Sequence, residues 1–214
     1  VTPTLSILLA TVTERAALFE KLHSHIQSQA AGKPVEVLVA CDNKEISIGR
    51  KRGNLLAESK GEYVCYVDDD DWVADDYVDR ILSAVSGRPD CVGFKIHCTT
   101  NGGNPVMACA SMRYPEWGEN KDGFAHVRST YHKTPVRAEI AHKVGFRDLR
   151  FGEDKIYSIG VMRLVKTEEF INHVMYYYRY RREPFIRKYG FSSARDAARN
   201  KGVNTAHVRR PFQH

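Results

Sequence analysis

Four carboxylates stand in an unbroken row, Asp68-Asp69-Asp70-Asp71, directly after the apolar stretch Tyr63-Val64-Cys65-Tyr66-Val67. Ionised together they repel one another unless a cation or a set of hydrogen-bond donors holds them. Acidic runs that are merely solvated sit in polar sequence, whereas α/β proteins bind ligands beyond the carboxyl ends of their strands. Hard oxygen donors at such a point suit Mg²⁺ or Mn²⁺, ions that commonly hold substrate phosphates. A second acidic point, Gly152-Glu153-Asp154, opens a helix-like segment. A helix dipole stabilises a carboxylate there. Asp154 then either caps the helix or takes a proton from an acceptor hydroxyl. In the second case a cation on Asp68 and Asp70 stabilises the charge of a leaving diphosphate.

The elements that must position these groups follow from periodicity. Residues 5–10 and 35–40 read as buried strands, and residues 14–29 as a helix with Leu18, Leu22 and Ile26 on one face. A helix over 48–59 stops at Gly61, and a third strand leads into the aspartates. Asp75 is placed to cap a helix reaching Val85, which Gly87-Arg88-Pro89 ends before a strand over 91–96. Such alternation predicts a parallel, doubly wound sheet. Residues 99–130 are rich in Gly, Asn and Pro and read as a long substrate-facing loop, with Tyr114 and Trp117 as stacking groups or simple packing. Helices over 135–144 and 155–164 and a strand over 171–180 complete the core.

Composition bounds the class. At 214 residues, 43% hydrophobic and 27% charged, the chain fits one packed domain with a small appendage. No apolar run is long enough to span a bilayer and no signal peptide is recognised. Five cysteines without metal-ligand spacing read as reduced, packed thiols, which predicts a cytoplasmic protein. Charge is uneven. Residues 179–214 carry ten Lys and Arg against Glu183 and Asp196, a net +8, which leaves −2 for residues 1–178. Asymmetry of this kind points to a polyanionic partner, nucleic acid or an anionic membrane surface.

Taken in order, these residues resemble GT-A glycosyltransferases of the large family 2 type, over about residues 4–181. The opening strand with Thr11, Thr13 and Arg15 is similar to the family's nucleotide-binding start. Asp42 matches its base- or ribose-contacting acid. Lys51-Arg52-Gly53 stands where the family leads into Gly61-Glu62-Tyr63, and Asp68-Asp69-Asp70 is in register with its Asp-X-Asp element. Gly152-Glu153-Asp154 matches its Glu-Asp element. The resemblance implies a Rossmann-like α/β fold, a mostly parallel central sheet with helices on both faces. It also implies inverting transfer from a nucleoside-diphosphate sugar, most often a UDP-sugar, with Mn²⁺ or Mg²⁺. Asp70 is then the main metal ligand, with Asp68 near the metal or the ribose and Asp69 in the nucleotide-sugar set. Arg15 and Arg52 hold the nucleotide, and Asp154, paired with Glu153, is the catalytic base. His132 lies in a region that faces the acceptor in similar enzymes. Two positions depart from the pattern: Gly53 replaces the usual Asn, and Arg181 stands where many relatives place a metal-binding His. Arginine does not ligate metals, but it neutralises diphosphate.

Residues 183–214 form a separate basic helical tail in this reading, after a catalytic domain of residues 1–182. Within the tail, 193–210 is similar to a helix-turn-helix: Ala198 and Gly202 suit the turn, while Val203 and Val208 lock the helices together. Arg195, Arg199, Thr205, His207, Arg209 and Arg210 would meet double-stranded DNA. Sugar transfer and DNA binding together predict an acceptor hydroxyl on a hydroxymethylated pyrimidine of bacteriophage DNA. The alternatives are a surface polysaccharide or lipid-linked glycan acceptor, a nucleotidyltransferase, or a DNA-binding module on an inactive scaffold.

Overall fold

In the computed structural model, which describes residues 2–181, strand β1 (Leu5–Val12) is buried on both faces. Successive strand residues point to opposite sides, so Leu5, Ile7 and Leu9 enter one core cluster while Leu8 enters the other. That double burial is why the run is continuously apolar rather than alternating. Strands β2 (Val35–Asp42) and β3 (Tyr63–Asp68) pair with β1 in parallel, in registers that set Val12 beside Asp42 and Ala10 beside Asp68. The two acids therefore emerge at the same edge of the sheet.

Helices α1 (Ala16–Ala30) and α3 (Tyr77–Val85) cover one face through Phe19, Leu22, Ile26, Tyr77 and Ile81. The other face is covered by α2 (Ile48–Glu58), α4 (Ala138–Val144) and α5 (Glu153–Met162), through Leu55, Ile140, Tyr157 and Val161. The short strand β9 (Val136–Arg137) runs antiparallel to both β3 and β5 (Cys91–Thr100), so β3 and β5 point the same way. Strand β10 (Glu168–Tyr180) adds in parallel to β5, and β4 (Trp72–Val73) pairs antiparallel with β10. Strands β2, β1, β3, β5 and β10 thus share one direction, with helices on both faces, as the strand–helix alternation predicts.

Three expectations are corrected. Residues 99–130 are not a loop: β6 (Gly103–Ala110) forms a hairpin with β5, and β7 (Gly118–Lys121) with β8 (Phe124–Arg128). The tight turns are Asn101-Gly102 and Asp122-Gly123, all four residues at positive φ, the backbone that two-residue hairpins demand. The strands beside them are short or exposed at one end and lack clean alternation. Second, the residue before α3 is Asp76, which makes no side-chain cap, while Asp75 is exposed and lies 3.7 Å from His25. Third, the helix expected from residue 135 starts at Ala138, because Val136 and Arg137 belong to β9. Among the described residues no helix is long and apolar enough to cross a membrane.

Candidate active site

Strand β3 ends at Asp68 and the chain turns, the Asp71 N–H donating to the Asp68 carbonyl at 3.2 Å. The turn separates the four carboxylates, and each meets its own partners. Asp68 accepts from Arg52 Nη2 at 2.7 Å and from Lys133 Nζ at 2.9 Å. Asp69 accepts from Thr11 Oγ1 at 2.8 Å and from Arg15 Nη1 at 2.7 Å. Asp71 accepts from Lys133 Nζ at 2.6 Å, Tyr176 Oη at 2.8 Å and the Arg179 N–H at 2.8 Å. Among the described residues Asp70 has only Arg15, at 3.3 Å, and its side chain keeps 30% of its surface exposed.

The electrostatics follow. Burial works to raise Asp68, but Lys133 and Arg52 overcome it and hold the carboxyl well below the usual range. Burial together with Asp71 and Asp68 pushes Asp70 up to about 6. Lys133, buried between Asp68 and Asp71, lies 4.5 Å from the Tyr176 ring centroid and 4.4 Å from that of Tyr178. Burial would make it lose its proton, yet Asp68 and Asp71 keep it charged well above the ordinary lysine range. The counter-charge that the acidic row requires is thus supplied by Arg15, Arg52 and Lys133.

Beside this row, at the ends of β1 and β2, Lys51 Nζ donates to the Thr11 carbonyl at 2.7 Å and pairs with Asp42. The Lys51 hydrogen bond brings Asp42 down to about 2. Thr13 Oγ1 donates to the Asp42 carbonyl at 3.3 Å. Thr11, Thr13, Arg15 and Asp42 therefore share one edge of the sheet with Asp69.

Arg52 is the hinge between the two acidic points: buried on α2, it pairs with both Asp68 and Glu153. Glu153 is itself buried, pairs with that guanidinium and forms part of the cavity wall next to Asp154. Its neighbour Asp154 is half-exposed in the first turn of α5, where Gly152 at φ 79° admits the chain. Asp154 and Asp68 open onto the same cavity of about 350 Å³, whose wall also includes Arg52, Trp117, His132 and Lys133. Within that wall Trp117 Nε1 donates to Ser158 Oγ at 3.4 Å and the Arg128 guanidinium lies 5.1 Å from its ring centroid.

Several expected residues stand elsewhere. Asp70 lies beside Arg15 rather than in the cavity wall. Tyr114 is buried with Cys109 and Val127 and is not a stacking group. Arg181 is exposed just past the end of β10 and outside the wall. Arg195, Arg199, Thr205, His207, Arg209 and Arg210 lie outside the described residues. Sequence reasoning missed Lys133 and Tyr176; the demand of four adjacent carboxylates for buried cations was the only signal for either.

Among the described residues no cluster of three or more His, Cys, Asp or Glu is arranged to hold a metal ion. An ion riding on substrate phosphates needs only one or two carboxylates, and Asp70 suits that use. Asp68 meets Arg52 through one oxygen and Lys133 through the other.

One comparison decides the family: residues 17–145 match the model described as Glycosyl transferase family 2. The chain belongs to glycosyl transferase family 2. Its fold is GT-A-like. Among solved structures, the family 2 domain is similar to S. aureus TarS 1–349 in complex with UDP, with a TM-score of 0.64 and 16% identity over 82% of this chain and 60% of that one. The same fragment with UDP-GlcNAc gives 0.61 and 14%, over 84% and 59% of the two chains. A crystal structure of S. aureus TarS gives 0.61 and 13%, over 82% and 36%. At such identity the likeness speaks for the fold alone, and this chain spans about 60% of the TarS fragment. No curated protein matches the chain.

Proposed function

We propose that the enzyme moves a sugar from a UDP-sugar to an acceptor hydroxyl with inversion at the anomeric carbon. The observation that carries this reading is the opening of Asp154 and the Asp68–Arg52 pair onto one cavity, beside the Thr11, Arg15 and Asp42 edge of the sheet. Support for a uracil nucleotide comes from S. aureus TarS, crystallised with UDP and with UDP-GlcNAc.

In this mechanism Asp154 takes the proton of the acceptor hydroxyl. One of its oxygens accepts the Lys155 N–H at 2.8 Å, which leaves the other for the proton. The acceptor oxygen attacks the anomeric carbon as the bond to the diphosphate breaks on the opposite face. Arg15, and Arg52 steadied by Glu153, stabilise the charge that develops on the leaving group. A divalent ion on Asp70 would supply neutralisation of the same diphosphate.

The acceptor in this proposal is a hydroxymethylated pyrimidine in DNA, supported by the +8 charge of residues 179–214. The test is incubation with a UDP-sugar panel, Mn²⁺ or Mg²⁺, and hydroxymethylated DNA. A mass gain of one sugar per modified base is expected. Transfer to a glycan acceptor, with none to DNA, overturns the acceptor assignment while leaving the sugar-transfer reading intact.

A further inference from the structure

His132 is 3% exposed, forms part of the cavity wall, and has no hydrogen-bond partner among the described residues at either ring nitrogen. A buried polar group left unpaired is costly and rare, and a native one calls for an explanation. The ring is not loosely placed. The His132 carbonyl accepts from the Tyr66 N–H at 2.8 Å, tying the residue to β3. The Tyr66 and Tyr131 rings meet the imidazole edge-on, with centroids at 6.2 and 5.0 Å. Its nearest carboxylate oxygen, Asp68 Oδ2, is 3.7 Å from Nε2, beyond hydrogen-bond reach. The imidazole is therefore held rigidly at the cavity with its bonding capacity unspent.

A neutral imidazole carries one donor and one acceptor, as suits sugar hydroxyls, each of which gives and takes a hydrogen bond. Depth in the cavity tells which substrate it meets. Arg150 and Phe151 are exposed and Asp154 is half-exposed, so they form the side that an incoming acceptor reaches. Tyr131, His132 and Lys133 are buried beneath, next to Asp68. The geometry points to His132 as the residue that reads the hydroxyl pattern of the transferred sugar, a specificity role on the donor rather than contact with the acceptor. This inference rests on the UDP-sugar reading above.

The test isolates the donor by measuring UDP release into water without acceptor. UDP-glucose, UDP-galactose and UDP-GlcNAc are compared first, then single-deoxy analogues of the fastest donor. Wild type should disfavour one deoxy donor by about 10- to 100-fold in kcat/KM, the worth of one buried hydrogen bond left unmade. His132→Phe should lose a similar factor on the parent donor and treat parent and deoxy donor alike. It should melt at or above the wild-type temperature, since no protein hydrogen bond is lost. His132→Asn, which keeps a donor and an acceptor, should recover part of the discrimination. Unchanged deoxy discrimination in His132→Phe overturns the inference and makes the imidazole's partner a water. Failure of wild type to release UDP from every donor overturns the UDP-sugar reading and this inference with it.

Discussion

Asp71 and Lys133 lie 62 residues apart in sequence, yet neither is tolerable in the interior without the other. Lys133→Met should therefore destabilise the protein by about 3–5 kcal/mol in urea unfolding, the usual consequence of removing one partner of a buried pair. Adding Asp71→Asn should restore part of the loss. Asp154 makes a different demand. Asp154→Asn should reduce turnover by at least about 10²-fold while UDP binding, measured by calorimetry, stays near wild type; near-normal rates would remove its role as base. His132 supplies a pH signature. Burial depresses it from 6.5 to about 4, so folding favours the neutral ring. Its contribution is complete above pH 6.5 and is lost as the pH falls toward 4, worth up to about 3 kcal/mol. Urea titrations at pH 7 and pH 4.5 should show His132→Phe losing less stability on acidification than wild type. Thr11, Arg15, Arg52, Asp68 and Asp154 were legible at this scale because they stand in ordered motifs. Lys133 and Tyr176 were not, since nothing local to them announces a partner 62 or 105 residues away.

Among the elements, α2 does more than cover the sheet. Its N-terminal turn grips the segment that delivers Asp154: Ser47 Oγ pairs with Asp148, and the Gly49 N–H donates to the Leu149 carbonyl at 3.1 Å. A Cβ at Gly49 would overlap the Arg147 carbonyl. Gly49→Ala should thus displace the approach to α5, costing about 1–3 kcal/mol of stability and lowering kcat. Gly53, one turn along the same helix, is the contrast. A Cβ there meets Phe146 at 3.9–4.0 Å, an ordinary contact. Gly53→Ala should stabilise by up to about 1 kcal/mol through helix propensity, and thermal melts of the two variants should move in opposite directions. The helices and parallel strands were readable because their apolar faces repeat with a clear period. The β5–β6 and β7–β8 hairpins were not, although Asn101-Gly102 and Asp122-Gly123 carried the turn signal. Their strands are partly exposed, so burial had not written an alternating pattern into them.

Charge along the chain is polarised: the positive excess lies in residues 179–214, while the candidate site draws mainly on residues 11–154, joined by Tyr176 and Tyr178 of β10. Replacing Arg195, Arg199, Arg209 and Arg210 with Ser should weaken DNA binding and flatten the slope of log affinity against log salt by up to about 3–4, close to 0.9 per phosphate contact. UDP release without acceptor should be unchanged. An unaltered salt slope would leave DNA recognition to other surfaces.

Read alone, the amino-acid order determined the α/β class, the succession of its parallel strands and the two acidic points that flank a site. Apolar periodicity and strand-end chemistry are local properties, expressed by neighbouring residues. Only the tertiary structure decided which cation neutralises which aspartate, that Asp68 is engaged by Arg52 and Lys133, and that His132 faces the cavity with both nitrogens unpaired among the described residues. Ion pairs and hydrogen bonds act over a few ångströms between residues that the fold brings together from 16 to 108 positions apart. No pattern along the chain encodes those distances.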